Sequence, residues 1–275
     1  MIDHDVTLPD GRSASVAEYG DPAGRPVIHL HGAGSCRLEA EPLDEPGRER
    51  GLRILSLDRP GTGRTSAVPL TSLLGYVDDV RAVADALAVD RFTASGFSNG
   101  GMFALATAHV LGDRVERAVP INPTSPFYDA GVRTRLPWSA RIAYALLARF
   151  PGKVASVALR NGGVPKGRSE RFNPDRDLVA QPETHDLLTR IDAQPHSAEC
   201  LTQELALTAR PWGFDHTGIV QPVEFFTGEH DAGRTYADTW VSGLPDARLH
   251  TFTGGHLGFY APAAAAAITE GMSAG

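Results

Sequence analysis

Apolar positions in this chain fall into short, dense runs set apart by glycine, proline and polar residues. In "DVTLPDGRSASVAEYG" apolar and polar residues alternate on both sides of Asp10-Gly11, a pair suited to a tight turn. This pattern predicts an antiparallel hairpin at the start of the chain. Six further runs follow: "PVIHLHG" (26–32), "LRILSLDRPG" (52–61), "RFTASGFS" (91–98), "RVERAVPIN" (114–122), "PVEFFTGEHD" (222–231) and "ARLHTFTGGH" (247–256). Their cores of Val, Ile, Leu and Phe are continuous, as expected of strands covered on both faces in a parallel sheet. Between several runs the spacing changes to three and four residues. Over 71–88, Leu73, Leu74, Val77, Val80, Val83, Ala84 and Leu87 make one helical stripe, and 99–111 reads as a second helix. Strand alternating with helix predicts an α/β fold: a mostly parallel sheet of about eight strands with an antiparallel N-terminal hairpin.

One stretch interrupts the alternation. From Pro123 to Arg210 strand signals vanish and proline-punctuated helical patterns replace them, which predicts a helical insertion (123–210) within a core domain formed by 1–122 and 211–275. The insertion carries 12 Lys+Arg against 9 Asp+Glu, a balance of +3 in a chain whose formal net charge is −7. An anionic substrate under a mildly basic lid and a plain solvated helical surface are both compatible with that contrast. The acidic total argues against nucleic acid as a partner. No apolar run reaches the roughly 18 residues of a membrane span, and "MIDHDVTLPD" lacks the basic start and apolar centre of a signal peptide. The expectation is therefore a cytoplasmic protein, monomer or homodimer, with no membrane partner. Cys36 and Cys200 are far apart in sequence and in no metal-like spacing, so free thiols are expected.

Chemistry concentrates in "GFSNG" (96–100), a G-x-S-x-G turn in which a strand passes so sharply into a helix that the central serine is thrust out. Gly96 and Gly100 suit the crowding of such a turn. Ser98 then stands at a helix N-terminus, where the dipole favours negative charge. A serine hydroxyl needs a base, and the base needs an orienting group. His256 follows the last strand in "FTGGHLGFY" and Asp231 follows the preceding one in "FFTGEHD"; Glu229 and His230 share that loop as rivals. His4, His109, His185, His196 and His216 read as surface or core residues, and His250 lies within its strand. The earlier strand end "PINPTSP" offers Asn122 and no carboxylate before Asp129. An oxyanion formed by attack of Ser98 needs two aimed donors. The N–H of Asn99 is one and that of Ala33, in "HGAGS" (31–35), the other, with Gly34 second. His31 and Gly32 read as shaping that turn, and Asp58 and Arg59 in "DRPGTGRTS" as structural. Phe127, Tyr128, Trp138, Trp212 and Phe214, at the two ends of the insertion, are candidates with Gly34 for an apolar substrate pocket.

Taken together, "HLHGAGSCRLEA", "DRPGTGRTS", "GFSNGGMFALA", "FFTGEHD" and "GGHLGFY" resemble the successive landmarks of the α/β-hydrolase superfamily, and in particular its small bacterial members with a helical cap. The resemblance spans roughly 5–122 and 211–275. It implies Ser98 as nucleophile, His256 as base and then acid, Asp231 as its orienting group, and Ala33 and Asn99 as oxyanion donors. It also implies hydrolysis of a small-molecule ester, thioester or lactone, with no metal and no cofactor. Amide hydrolysis, C–C cleavage, a tailoring step on a secondary metabolite and a non-catalytic binding protein on the same scaffold are the alternatives. Tryptophan does not follow the serine, as it usually does in proline iminopeptidases. Dehalogenases and epoxide hydrolases use aspartate where Ser98 stands.

Overall fold

The computed structural model describes residues 1–135, 138–161 and 173–274. Eight strands form one sheet: β1 (Ile2–Thr7), β2 (Ser13–Gly20), β3 (Arg25–Leu30), β4 (Leu52–Leu57), β5 (Phe92–Phe97), β6 (Val115–Ile121), β7 (Val223–Gly228) and β8 (Ala247–Phe252). Their order is β1-β2-β4-β3-β5-β6-β7-β8. Strands β1 and β2 pair antiparallel, as do β2 and β4, and every later pairing is parallel. The predicted hairpin and parallel sheet are both present. Strand ends differ from the sequence reading by a few residues, because the terminal polar residues of each run belong to the loops beyond the sheet.

Side-chain alternation divides the core into two. In β3 and β4, Val27, Leu52 and Ile54 face one apolar cluster, while Ile28, Leu30, Leu55 and Leu57 face the other. The second cluster is closed by helices Leu73–Ala86 and Asn99–Val110, and the first by helix Pro262–Ser273 and the 3₁₀ turn Arg37–Leu43. Each fully buried Ile or Leu here contributes about 1.5–3 kcal/mol relative to exposure. The stripe on Leu73–Ala86 is buried as its spacing predicts, with Leu74 only partly covered, and Ser72 caps the helix by accepting from Gly75 N at 2.9 Å. In helix Asn99–Val110 every residue from Asn99 to Ala108 is buried, which accounts for a sequence that is apolar all round.

Between β6 and β7 lie helices Ala130–Arg135, Trp138–Arg149, Pro151–Asn161, Arg176–Val179, Pro182–Asp192 and Ala198–Thr208. An isolated bridge of His196 to Thr62 ties this stretch to the loop after β4. Residues 136, 137 and 162–172 of the expected insertion lie outside the described residues. Among the described residues no helix is long and apolar enough to cross a membrane. Cys36 and Cys200 are buried free thiols.

Candidate active site

Strands β3, β5, β7 and β8 run parallel, so the loops that follow them emerge at one edge of the sheet, where ligands of open α/β sheets bind. Ser98 is the first residue beyond β5 and the N-cap of helix Asn99–Val110, with φ 54° and ψ −118°. Such a backbone costs a non-glycine residue on the order of 1–3 kcal/mol and persists only where its surroundings enforce it. Here Ser98 N donates to Ile121 O at 2.8 Å, while Ser98 O accepts from Gly101 N at 3.0 Å and Thr124 N at 3.1 Å. The flanking glycines are obligatory on distance alone. A Cβ on Gly96 would stand 2.2 Å from Gly100 O, and one on Gly100 would stand 1.8 Å from Leu30 O.

His256 Nε2 lies 3.1 Å from Ser98 Oγ, and His256 Nδ1 lies 2.6 Å from Asp231 Oδ2. A carboxylate can only accept, so Nδ1 carries the ring proton and the Nε2 lone pair faces the serine hydroxyl. Gly233 N donates to the other Asp231 oxygen at 2.6 Å, which fixes the carboxylate plane. The Asp231 side chain is 5% exposed and that of His256 47%. Phe97 packs beside the imidazole with ring centroids 4.9 Å apart. The rivals on the Asp231 loop, Glu229 and His230, are exposed and pair with one another at 3.6 Å.

Asn122, noted in the sequence only for not being an acid, has φ 43° and joins the two loops. Its Oδ1 accepts from Gly228 N at 2.8 Å, and its Nδ2 donates to His256 O at 2.9 Å and Gly255 O at 3.3 Å. A short amide that tolerates positive φ and offers both donor and acceptor suits this position.

The loop after β3 is held by buried charge. Both Glu39 oxygens accept from Gly32 N at 3.0 Å. Arg59 donates to His31 O, and its Nη2 donates to Gly32 O at 2.8 Å. Arg59 N donates to His31 Nε2 at 3.1 Å, so the neutral ring carries its proton on Nδ1 and gives it to Gly32 O at 2.7 Å. Burial first, and the Arg59 charge next, hold the His31 pKa well below the ordinary imidazole value. With the Gly32 carbonyl turned to Arg59, the planar trans peptide directs the Ala33 N–H the opposite way. The space at Gly32 abuts Ser98, where an added Cβ would meet Ser98 Cβ at 3.4 Å. Asn99 is the first residue of its helix, so its N–H has no intrahelical acceptor. The Asn99 side chain does not open to a pocket: it is buried, accepting from Thr124 Oγ1 at 2.6 Å and donating to Glu204 Oε1 at 3.4 Å. Glu204 also receives Arg59 Nη2 at 2.6 Å. Burial raises the Glu204 carboxyl, and Arg59 offsets part of that rise. In the sequence Glu204 looks like any charged residue of an exposed helix.

The expected aromatic pocket is divided. Trp212 is a core residue stacked on Trp240 at 5.3 Å and flanked by Tyr128 and Phe214, each at 5.9 Å. Phe127 packs against Tyr144 and Tyr236 in a separate small cluster. Trp138, expected to line the pocket, is 75% exposed and lies outside both groups. Tyr128 and Phe214, with Tyr236 and Trp240, line a cavity of about 440 Å³ that neither Ser98 nor His256 borders. A Cβ added to Gly34, at φ 69°, would meet Leu201 Cδ2 at 3.9 Å. Among the described residues no cluster of three His, Cys, Asp or Glu side chains has the arrangement of a metal site.

A family model described as alpha/beta hydrolase fold matches residues 25–261. Among solved structures the chain is similar to a thermophilic esterase from Thermogutta terrifontis, at 19% identity and a TM-score of 0.69, over 98% of this chain and 96% of the other. It is similar to the enol-lactonase from Burkholderia xenovorans LB400, at 19% identity and 0.67, over 98% and 97%. An epoxide hydrolase aligns at 18% identity and 0.74, over 96% and 93%. At these identities the likeness speaks for the fold and not for the reaction.

Proposed function

Because the chain belongs to the alpha/beta hydrolase fold family, we propose that it is a serine hydrolase that cleaves a carboxylic ester, thioester or lactone of a small molecule through an acyl-Ser98 intermediate. The observation that carries this reading is the pair of hydrogen bonds running from Ser98 Oγ through His256 to Asp231 across three strand ends. His256 Nε2 takes the hydroxyl proton as Ser98 attacks the substrate carbonyl, then delivers it to the departing alcohol or thiol. Asp231 holds the ring in the required tautomer and stabilises the imidazolium that forms. The Ala33 and Asn99 amides receive the carbonyl oxygen as it becomes negative, and each such donor is worth roughly 3–4 kcal/mol where one has been removed. His256 then activates water to release the acid and restore the serine.

The similar esterase and enol-lactonase agree with an ester or lactone substrate, whereas the similar epoxide hydrolase does not. The test is covalent labelling by a fluorophosphonate, followed by peptide mapping, beside turnover of a panel of p-nitrophenyl esters. Label on Ser98, and its loss together with turnover in Ser98→Ala, is the expected result. Ester turnover that survives Ser98→Ala would overturn the mechanism.

A further inference from the structure

Asp175 comes from the stretch between β6 and β7, far in sequence from any landmark of the site, and its side chain is directed onto the loop that bears His256. One carboxylate oxygen accepts from Gly255 N at 2.6 Å and the other from Leu257 N at 2.8 Å. These are the amides on either side of His256. Asp175 is 3% exposed, and Asn173 Oδ1 holds its own N–H at 3.0 Å.

The glycines of "TGGHLG" are cut to this side chain. A Cβ on Gly254, which has φ 113°, would meet Asp175 Oδ1 at 2.8 Å. On Gly255 it would meet Pro174 Cγ at 2.4 Å and Asp175 Oδ2 at 2.8 Å. Asn122 grips the same loop from β6 through the carbonyls of Gly255 and His256. The His256–Leu257 peptide is therefore held at its carbonyl by Asn122 and at its N–H by Asp175. With that plane fixed, the direction in which the His256 side chain leaves the backbone is restrained, and the Asp231 contact sets the ring from there.

We propose that Asp175 is a positioning residue for the general base, a carboxylate that orients His256 through the two flanking amides. The inference rests on the serine-hydrolase reading above. A carboxylate is needed because both partners are donors. An asparagine would accept from one amide and turn its own NH₂ toward the other. Misplacement of a reacting group by about an ångström is enough to cost on the order of 100-fold in rate.

The experiment compares wild type, Asp175→Asn and Asp175→Ala for p-nitrophenyl acetate turnover, fluorophosphonate labelling, thermal unfolding and amide hydrogen exchange. The expected result for Asp175→Asn is a folded protein whose kcat and labelling rate fall by about 10- to 100-fold with KM little changed. Exchange at Gly255 and Leu257 quickens, and added formate restores part of the rate in Asp175→Ala. A folded Asp175→Asn with wild-type kcat and wild-type exchange at those amides would overturn the proposal. If Asp175→Asn does not fold, exchange in the wild type decides: protection at Gly255 and Leu257 supports the clamp, and exchange as fast as in an exposed loop refutes it. A wild type that fluorophosphonate leaves unmodified sinks the hydrolase reading instead, and the clamp is then judged on exchange alone.

Discussion

Replacing Gly100 by alanine tests the geometry that presents Ser98. The new Cβ would stand 1.8 Å from Leu30 O, 2.6 Å from Leu30 C and 2.8 Å from His31 O, against the 3.0 Å below which real Cβ atoms essentially never approach. All three obstacles are backbone of β3 and its loop, so no side chain can turn aside. The start of helix Asn99–Val110 must retreat by about 1.2 Å, the difference between 3.0 and 1.8 Å. Overpacking against an unyielding neighbour costs about 3 kcal/mol. For a chain of this size that lowers Tm by roughly 6–12 °C. Ser98 moves with the helix, and its 3.1 Å contact with His256 opens beyond hydrogen-bonding range. Ester turnover and labelling then fall by about 100-fold. Calorimetry and a p-nitrophenyl ester assay measure the two effects. Gly218→Ala is the control, since nothing lies within 4 Å of its Cβ position, and it is expected to stay within about 0.5 kcal/mol of wild type. A Gly100→Ala protein that melts within about 2 °C of wild type and labels at the same rate would refute the close approach and the reasoning built on it.

Two further predictions follow from the same site. Asp231→Asn presents an amide to His256 Nδ1 and favours the tautomer that turns an N–H toward Ser98. Ester turnover is expected to fall by roughly 10⁴-fold, the size measured for the corresponding change in a serine protease, and a fall of less than about tenfold would count against the orienting role. His31 is buried and its folded-state pKa is depressed, so it contributes stability above its ordinary value of 6.5 that is lost as the pH falls below it, where the unfolded chain takes up the proton first. Urea unfolding at a series of pH values should reveal up to about 1.4 kcal/mol lost per pH unit below 6.5 from this group, with a shallower slope in His31→Gln. Equal slopes in the two proteins would show that His31 is not the source.

Much of this arrangement was legible in the chain because its causes are local. The alternating hairpin, the continuous strand cores and the stripe on Leu73–Ala86 each follow from a period that a few residues suffice to show. Ser98 stands directly after β5, Asp231 and His256 lie in the short loops just beyond β7 and β8, and the glycines around the serine answer to a turn only a few residues long. Parallel strands then carry the three loops to one edge whatever lies between them. The strand order, in which β4 lies between β2 and β3, could not be read that way, since it depends on which faces pack best once all elements exist. Nor could the fate of the charged residues. Glu204 and Asp175 look like solvated helix-surface acids, but other parts of the chain close over them and supply the donors that make a buried carboxylate tolerable. The aromatic residues divided for the same reason. Trp212 meets Trp240 in the core while Trp138 meets solvent, although both stand in the stretch between β6 and β7. Periodicity fixes which way a side chain leaves its own helix or strand, whereas burial is a property of the neighbours that arrive from elsewhere in the sequence, and only their packing assigns it.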